Sequence, residues 1–229
     1  MIVDVIIPAL NEEKSISHVL NDIPAGLVRH IYVCDNGSSD STAEVARLHG
    51  AIVLQEFEKG YGAACLKAIH YIHSQPKEAF PDIIVFIDAD YSDFPEEIPI
   101  LIQPILDHQV DLVIGSRVLG KAESGSLTFV QRFGNALSTH LIRWIYGYQF
   151  TDLGPFRAIR FDTLIQMNMQ DRNYGWTVEM QIRAAKMKVR STEVPVDYKI
   201  RIGRSKVSGT IKGSFLAGYK ILYTIFKMW

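Results

Sequence analysis

An apolar run at residues 83–87 leads directly into two carboxylates, Asp88 and Asp90. An uninterrupted apolar run of this length predicts a parallel strand that is buried on both faces. Residues two apart share one face of a strand, so both carboxylates can point beyond its carboxyl end, where open α/β sheets bind ligands. Two converging carboxylates suit Mg²⁺ or Mn²⁺ accompanied by substrate phosphates. The alternative is a solvated turn in which each aspartate bonds its own backbone.

Strand and helix signals alternate through the first half of the chain, which predicts an α/β fold with a mainly parallel sheet and helices on both faces. Neither a glycine-rich dinucleotide turn nor a phosphate-binding P-loop follows the first strand. This combination favours a sugar-nucleotide fold over a dehydrogenase or an ATPase. The predicted strands are residues 3–7, 31–34, 51–54, 83–87 and 111–115, and the predicted helices are residues 12–23, 39–48, 62–73 and one that begins near Pro95.

The second half is richer in aromatic and basic residues. We predict helices at residues 129–146, 176–187 and 211–228, a loop at 151–157 that enters a short strand, and an extended segment at 192–198. The last helix has an aromatic stripe with Lys220 and Lys227 on the other side. It can pack that stripe on the core or lie in a bilayer interface, and we favour partial packing close to a membrane.

A chain of 229 residues with 48% hydrophobic and 21% charged residues predicts one domain spanning residues 1–229. The net charge of -1 argues against binding of nucleic acid. The charge is uneven, because residues 1–100 hold 16 acidic and 6 basic side chains, whereas residues 183–206 hold 8 basic and 2 acidic ones. The basic segment indicates a local anionic ligand such as a phosphate, a diphosphate or a lipid headgroup.

Cys34 and Cys65 show no metal-ligand spacing, which indicates a reducing, cytoplasmic environment. The chain begins in an apolar strand without a basic leader, so we expect no signal peptide. The longest stretch without Lys, Arg, Asp or Glu is the ten residues 133–142. A spanning helix needs about 20 apolar residues, so we expect none.

Seven segments in the same order along the chain resemble the family-2 glycosyltransferases of the GT-A fold. More narrowly, they are similar to dolichyl-phosphate mannose synthase and the bacterial polyprenyl-phosphate glycosyltransferases. The resemblance implies a GT-A fold with a nucleotide-sugar half at residues 1–117 and an acceptor-side extension at residues 118–229. The segments are residues 6–12, 35–42, 59–64, 88–90, 115–117, 151–157 and 201–206.

The resemblance also implies roles for individual residues. A nucleotide-diphosphate sugar would contact Pro8, Asn11, Glu12, Asp35, Lys59 and Asp88. Asp88 and Asp90 would hold Mg²⁺ or Mn²⁺. Phosphate on the acceptor side would meet Arg117, Arg132, Arg201, Arg204 and Lys206, of which the last three belong to a loop that closes over the site.

The chain departs from the family pattern in three places. Asn36 stands where a second aspartate is usual, and Ser92, followed by Asp93, stands where the synthases have glutamine as a third metal ligand. The Gln-x-x-Arg-Trp motif of processive synthases is absent, because His140 precedes Arg143 and Trp144. A single-transfer enzyme is therefore expected.

The expected reaction is inverting transfer of a hexose from a UDP- or GDP-sugar to a polyprenyl or dolichyl phosphate at the inner face of the membrane. A lipid phosphate is largely dianionic at neutral pH and needs arginines rather than a general base. A hydroxyl acceptor on a saccharide or protein is the alternative, and it would need a base, for which Asp152 is the candidate. A third reading is an inactive module that only binds the nucleotide sugar. The predicted catalytic set is Asp88, Asp90, Arg117 and Asp152.

Each of these residues also has a purely structural reading. Arg117 could pair with a nearby carboxylate, and Asp152 could pair with Arg157 to hold its loop. Arg132 could snorkel from an apolar stripe of its helix. Glu179 is predicted to pair with Arg183 one helical turn away rather than to act as an acid.

Overall fold

A computed structural model describes residues 1–203 and 211–229, and it describes side chains in the second range from residue 216 onward. The described residues contain a seven-stranded sheet in the order β3-β2-β1-β4-β6-β5-β7. Only β6 runs antiparallel to its neighbours, β4 and β5. The strands are β1 (Val3–Ala9), β2 (Val28–Asp35), β3 (Ile52–Gln55), β4 (Ile83–Phe86), β5 (Leu112–Ser116), β6 (Arg157–Arg160) and β7 (Ser191–Pro195).

Eight α-helices of the described residues cover the sheet on both faces, which confirms the predicted fold class. One apolar core joins α1, α2 and α4 to one face, and the other joins α3, α5, α6, α7 and α8 to the opposite face. The helices are α1 (Ile16–Asp22), α2 (Thr42–Leu48), α3 (Tyr61–His73), α4 (Ile98–Leu106), α5 (Phe129–Tyr146), α6 (Phe161–Met167), α7 (Trp176–Lys186) and α8 (Ile211–Lys227).

The first strand and the first helix differ from the prediction. β1 was predicted to end at residue 7, but it continues through Pro8 to Ala9. Its pairing with β4 ends at Ile6 and Phe86, so no hydrogen bond to β4 is lost at the proline. The helix predicted from residue 12 begins at Ile16. Asn11 has a left-handed backbone with φ 54°, and Ser15 N–H closes a turn on the carbonyl of Glu12 at 3.1 Å. This turn places residues 11 and 12 beside the carboxyl end of β1.

The second half of the chain completes the same sheet rather than forming a separate one. β6 inserts between β4 and β5, and β7 extends the edge beyond β5 in parallel register. The insertion of β6 brings the loop before it, which contains Asp152, next to Arg117 at the end of β5. No described helix is long and apolar enough to span a bilayer.

Candidate functional site

A pocket of about 1820 Å³ opens at the carboxyl edge of the parallel strands. It runs from the ends of β1 and β4 to a wall formed by α5 and α8. Nine of the predicted site residues line it, namely Pro8, Glu12, Lys59, Asp88, Asp90, Arg117, Arg132, Asp152 and Arg201. The structure thus gathers in one cavity residues that lie in seven separate segments of the sequence.

Asp88 and Asp90 follow β4 and border the pocket, as predicted. Asp88 accepts a hydrogen bond from the Tyr61 hydroxyl at 3.0 Å. Burial, and after it the nearby charge of Asp90, raise the pKa of Asp88 to about 7. Two carboxylates this close repel each other when both are ionised, and a bound cation relieves that repulsion.

Asp90 is only 4% exposed, and both of its carboxylate oxygens are engaged. Its Oδ1 accepts the backbone N–H of Ser92 at 2.9 Å and the Ser92 hydroxyl. Its Oδ2 lies 2.7 Å from the Arg201 guanidinium. Ser92, at the position where glutamine is usual, therefore orients a predicted metal ligand.

The donor set fits a hard divalent cation. Asp88 and Asp90 offer carboxylate oxygens, and the described residues contain no group of three His, Cys, Asp or Glu side chains that could hold a metal ion. Mg²⁺ and Mn²⁺ sites commonly use one or two carboxylates and take the remaining ligands from water and substrate phosphates. Asp88 and Asp90 would hold such a metal with water as the other ligands, and a diphosphate would replace part of that water when the nucleotide sugar binds.

A further carboxylate, Asp93, lies buried close to this site. It is 1% exposed, and neither of its oxygens has a hydrogen-bond partner among the described residues. Burial and then the charge of Asp88 raise its pKa well above the usual value, against the opposing effect of Arg117. The protonated form of Asp93 is therefore favoured. The sequence shows Asp93 beside the motif, but it does not reveal this burial.

Arg117 is held in a fixed orientation by Asp152. Its Nε and Nη2 atoms each lie 2.7 Å from one oxygen of the Asp152 carboxylate, and its backbone N–H donates to the same carboxylate at 2.9 Å. Its guanidinium carbon lies 5.0 Å from the centre of the Tyr198 ring. The structural reading of Arg117 as an ion-pair partner is confirmed, and the paired guanidinium still borders the pocket.

The prediction that Asp152 pairs with Arg157 is wrong. Arg157 is fully buried and donates hydrogen bonds to the carbonyls of Leu153, Gly154 and Thr177. It therefore supports the loop that contains Asp152 through backbone carbonyls rather than through the Asp152 carboxylate. Burial would raise the pKa of Asp152, but the charge and hydrogen bonds of Arg117 outweigh it and lower that pKa. A carboxylate whose proton affinity is reduced in this way is a weak general base.

The other basic residues predicted for the site differ in what they contact. Arg132 is exposed on α5 and borders the pocket, and no ion pair of this side chain occurs within the described parts. Lys59 donates to the carbonyls of Asn36 and Gly37, both at 2.9 Å, and so holds the loop after β2. Arg204 and Lys206 lie outside the described residues.

Asp35 and Asn11, which were predicted to contact the nucleotide sugar, do not line the main pocket. Asp35 is 3% exposed and accepts the backbone N–H of Ser38 at 3.1 Å. The Asn11 side chain accepts the backbone N–H of Ser39 at 2.7 Å, and Asn11 borders a smaller neighbouring cavity. Both residues shape the turn after β2. Asn36 lines the main pocket instead, and it fixes the loop before α3 through the carbonyls of Glu56 and Glu58 and the N–H of Gly60.

Tyr61 is the contact of Asp88 that the sequence did not single out. Its position depends on Gly60 and Gly62, where an added Cβ would lie 2.0 Å from the Arg172 carbonyl oxygen and 1.9 Å from that of Asp171. Only glycine lets the start of α3 approach that backbone so closely. Glu179 holds the same loop, since it accepts the N–H groups of Gln170 and Asp171 and pairs with Arg183 at 2.7 Å, as predicted.

Comparison with known proteins agrees with this geometry. Residues 4–167 match the sequence model described as glycosyl transferase family 2. An uncharacterized glycosyltransferase of Mycobacterium tuberculosis (strain ATCC 25618 / H37Rv) is 37% identical over 94% of this chain and 94% of its own length. An undecaprenyl-phosphate mannosyltransferase of Micrococcus luteus is 29% identical over 91% of this chain and 88% of its own.

A solved structure shares the fold. It is glucosyl-3-phosphoglycerate synthase from Mycobacterium tuberculosis in complex with Mn²⁺, uridine diphosphate and phosphoglyceric acid. The TM-score is 0.77 at 22% identity, and the match covers 99% of this chain and 78% of that one. At this identity the likeness establishes the GT-A architecture alone.

Proposed function

The chain belongs to glycosyl transferase family 2, and on that premise we propose that it transfers a hexose, with inversion, from a nucleotide-diphosphate sugar to a polyprenyl or dolichyl phosphate. The proposed donor is a UDP- or GDP-hexose, and the proposed cofactor is Mg²⁺ or Mn²⁺ at Asp88 and Asp90. The acceptor phosphate oxygen forms a bond to the anomeric carbon while the bond from that carbon to the diphosphate breaks. The nucleoside diphosphate leaves with the electron pair.

The continuity of the pocket is the observation that carries this proposal. One pocket is lined by Asp88 and Asp90, by the basic residues Arg117, Arg132 and Arg201, and by apolar side chains. A lipid phosphate carries groups that match the basic and the apolar parts of this lining, with an anion at the reacting end and a hydrocarbon chain behind it. The apolar wall consists of Leu127, Val130, Phe133, Leu137, Ile221 and Leu222.

The arginines would position the acceptor, and a bound divalent cation would neutralise charge on the departing diphosphate. Arg117 is oriented by Asp152 before any ligand arrives. Preorganised guanidinium groups suit a phosphate because they donate two parallel hydrogen bonds to it. A dianionic phosphate has no proton to lose at the reacting oxygen. The engagement of Asp152 by Arg117 therefore favours a phosphate acceptor over a hydroxyl.

Three further observations support details of the proposal. The mannosyltransferase of Micrococcus luteus has undecaprenyl phosphate in its name, which supports a lipid phosphate acceptor. The solved structure of the synthase contains Mn²⁺ and uridine diphosphate, which supports manganese and a uridine donor. Cys34 and Cys65 are buried and free, which suits work in a reducing cytoplasm at the inner face of a membrane.

A pair of acceptors that differ only in the phosphate tests the proposal. The purified chain with Mn²⁺ is given each of several UDP- and GDP-hexoses, together with a short polyprenyl phosphate or the matching polyprenol. We expect sugar transfer to the phosphate and none to the alcohol. Transfer to the polyprenol or to a saccharide hydroxyl, without transfer to the phosphate, would establish the alternative acceptor class. Donor binding without transfer or hydrolysis at any metal concentration would indicate an inactive binding module.

A further inference from the structure

The helix α5 and residues 216–229 present more than half of the exposed large hydrophobic side chains of the described residues. The described chain has nineteen large hydrophobic side chains that are exposed, and ten of them lie on α5 or in residues 216–229. Scattered exposed apolar side chains are normal, whereas a concentration of this kind marks an interaction surface. The most exposed of the ten are Phe129, Val130, Phe133, Trp144, Tyr219 and Trp229.

On each helix these side chains lie along one side. At 3.6 residues per turn, the exposed apolar positions of α5 fall within an arc of about 100°. The buried residues Ser138, Thr139 and Ile142 lie on the opposite side of the same helix. On α8, Leu216, Tyr219 and Tyr223 form a similar stripe, with Ile225 buried. The two helices pack against each other, and exposed side chains of both stripes line the same pocket. We call the exposed apolar side chains of α5 and of residues 216–229 together the α5/α8 face.

The α5/α8 face is continuous with the mouth of the pocket. Val130, Phe133, Leu137 and Tyr219 are exposed to solvent and also line the pocket wall. Anything that covers this face therefore lies directly at the entrance for the acceptor. Lys220 ties the face to the site as well, since its ammonium lies 2.8 Å from Asp171, next to the loop that lines the pocket.

The charge of these two helices is entirely positive. Residues 129–146 and 211–229 contain five Lys and Arg residues and no Asp or Glu, so the rest of the chain carries a net charge of -6. Basic side chains flank the apolar stripes, with Arg132 and Arg143 beside the stripe of α5 and Lys227 beside that of α8. Aromatic rings bordered by cations are typical of helices that lie in the headgroup region of an anionic bilayer.

We propose that the α5/α8 face docks on the surface of an anionic lipid bilayer, with its rings at headgroup level and the pocket mouth turned toward the lipid. A symmetric contact with a second copy of the chain would bring cations of the face against the same cations, which is unfavourable. The proposal names the partner surface of the proposed function, and its purpose rests on that function, because a lipid acceptor would then enter the pocket without leaving the membrane.

Binding to vesicles tests the docking independently of sugar transfer. The full chain is floated with vesicles of pure phosphatidylcholine and with vesicles that contain about one third phosphatidylglycerol. We expect binding to the anionic vesicles and a decrease as salt is raised, because salt screens the charges. Absence of binding to anionic vesicles would overturn the proposed docking. Transfer to a short acceptor needs no vesicle, so it would still test the proposed function separately.

A matched pair of triple variants locates the surface. Phe129→Ser, Trp144→Ser and Trp229→Ser together change exposed residues of the α5/α8 face that do not line the pocket. We expect at least a tenfold loss of affinity for anionic vesicles, with unchanged kcat/KM for a water-soluble short-chain acceptor. The control combines Leu48→Ser, Ile100→Ser and Met187→Ser, which are exposed elsewhere, and it should bind vesicles like the wild type.

Two other outcomes would count against the docking. Equal vesicle binding by both triple variants would show that the α5/α8 face is not the contact. Concentration-dependent dimers of the wild type in sedimentation velocity that the first variant abolishes would assign the face to a second copy of the chain. If the wild type does not transfer sugar to the short acceptor, the proposed function is refuted, and vesicle binding remains a separate result.

Discussion

The guanidinium of Arg201 forms an ion pair with the carboxylate of Asp90, with 2.7 Å between Nη2 and Oδ2. The backbone holds the same two segments together, because the N–H of Ile202 donates to the carbonyl of Asp90 at 2.9 Å. Arg201 is predicted to meet phosphate, and Asp90 is predicted to bind the metal. A metal bound by Asp90 would therefore compete with Arg201 for this carboxylate, and metal binding would release the arginine for an anionic substrate.

The first prediction is that Arg201→Ala binds Mn²⁺ about tenfold more tightly than the wild type when no nucleotide is present, because a competing positive charge is removed. Free Mn²⁺ is measured by electron paramagnetic resonance during a titration. Arg132→Ala is the matched control and should leave the affinity unchanged, and Arg201→Lys should fall between. Equal or weaker Mn²⁺ binding by Arg201→Ala would refute the competition.

The second prediction concerns the two carboxylates. Asp88→Asn and Asp90→Asn should each weaken metal-dependent donor binding by about 100-fold, since the hard cation loses a charged ligand. A ligand that binds only the folded state raises its thermal midpoint, so the midpoint with Mn²⁺ and donor should rise for the wild type and not for the variants. Asp162→Asn, an exposed change at the start of α6, is the control. A normal midpoint rise in either site variant would remove that residue from the metal site.

The third prediction separates a positioning role of Asp152 from a basic one. If Asp152 acts by holding Arg117, the variants Arg117→Ala and Asp152→Ala should each lower kcat/KM for the lipid phosphate, and the double variant should lose no more than the worse single one. Residues that act as a unit are non-additive in this way. A general base would make the losses multiply, with about 10²–10⁴ from Asp152 alone. Steady-state kinetics of the three variants distinguish these outcomes.

The same pair affects stability. Asp152→Ala leaves a largely buried arginine without its carboxylate, which should lower the free energy of unfolding by about 3–5 kcal/mol. Urea denaturation measures this difference. The double variant should recover part of the loss, because it removes the stranded charge as well. A double variant less stable than both single ones would contradict the buried-pair account.

The last prediction uses the raised pKa of Asp93. A carboxyl whose pKa is higher in the folded state stabilises the protein below its unfolded pKa, and this contribution is lost as pH rises toward the folded value. Asp93→Asn lacks the titration. Urea denaturation at about pH 4.5 and at about pH 8 measures the free energy of unfolding of both proteins. The value for Asp93→Asn minus the value for the wild type should therefore be larger at the higher pH. The exposed Asp107→Asn is the control, and a difference that does not grow with pH would exclude a buried, protonated Asp93.

The sequence by itself determined the class of the fold and the place of two carboxylates, Asp88 and Asp90, at the end of a strand. Strand and helix periods are local properties, so the alternation of elements, the bounds of α5 at Phe129–Tyr146 and the position of Asp88 and Asp90 after β4 followed from neighbouring residues. The boundary of α1 did not follow, because the turn at Asn11 depends on bonds to the loop after β2.

Only the tertiary structure decided which side chains meet. The antiparallel insertion of β6 between β4 and β5 brings Asp152 to Arg117 and leaves Arg157 on carbonyl groups. The docking of α3 on the loop at Asp171 places Tyr61 on Asp88, and the segment after β7 places Arg201 on Asp90. These partners lie far apart in the chain, and no local pattern encodes a contact that depends on how whole elements pack.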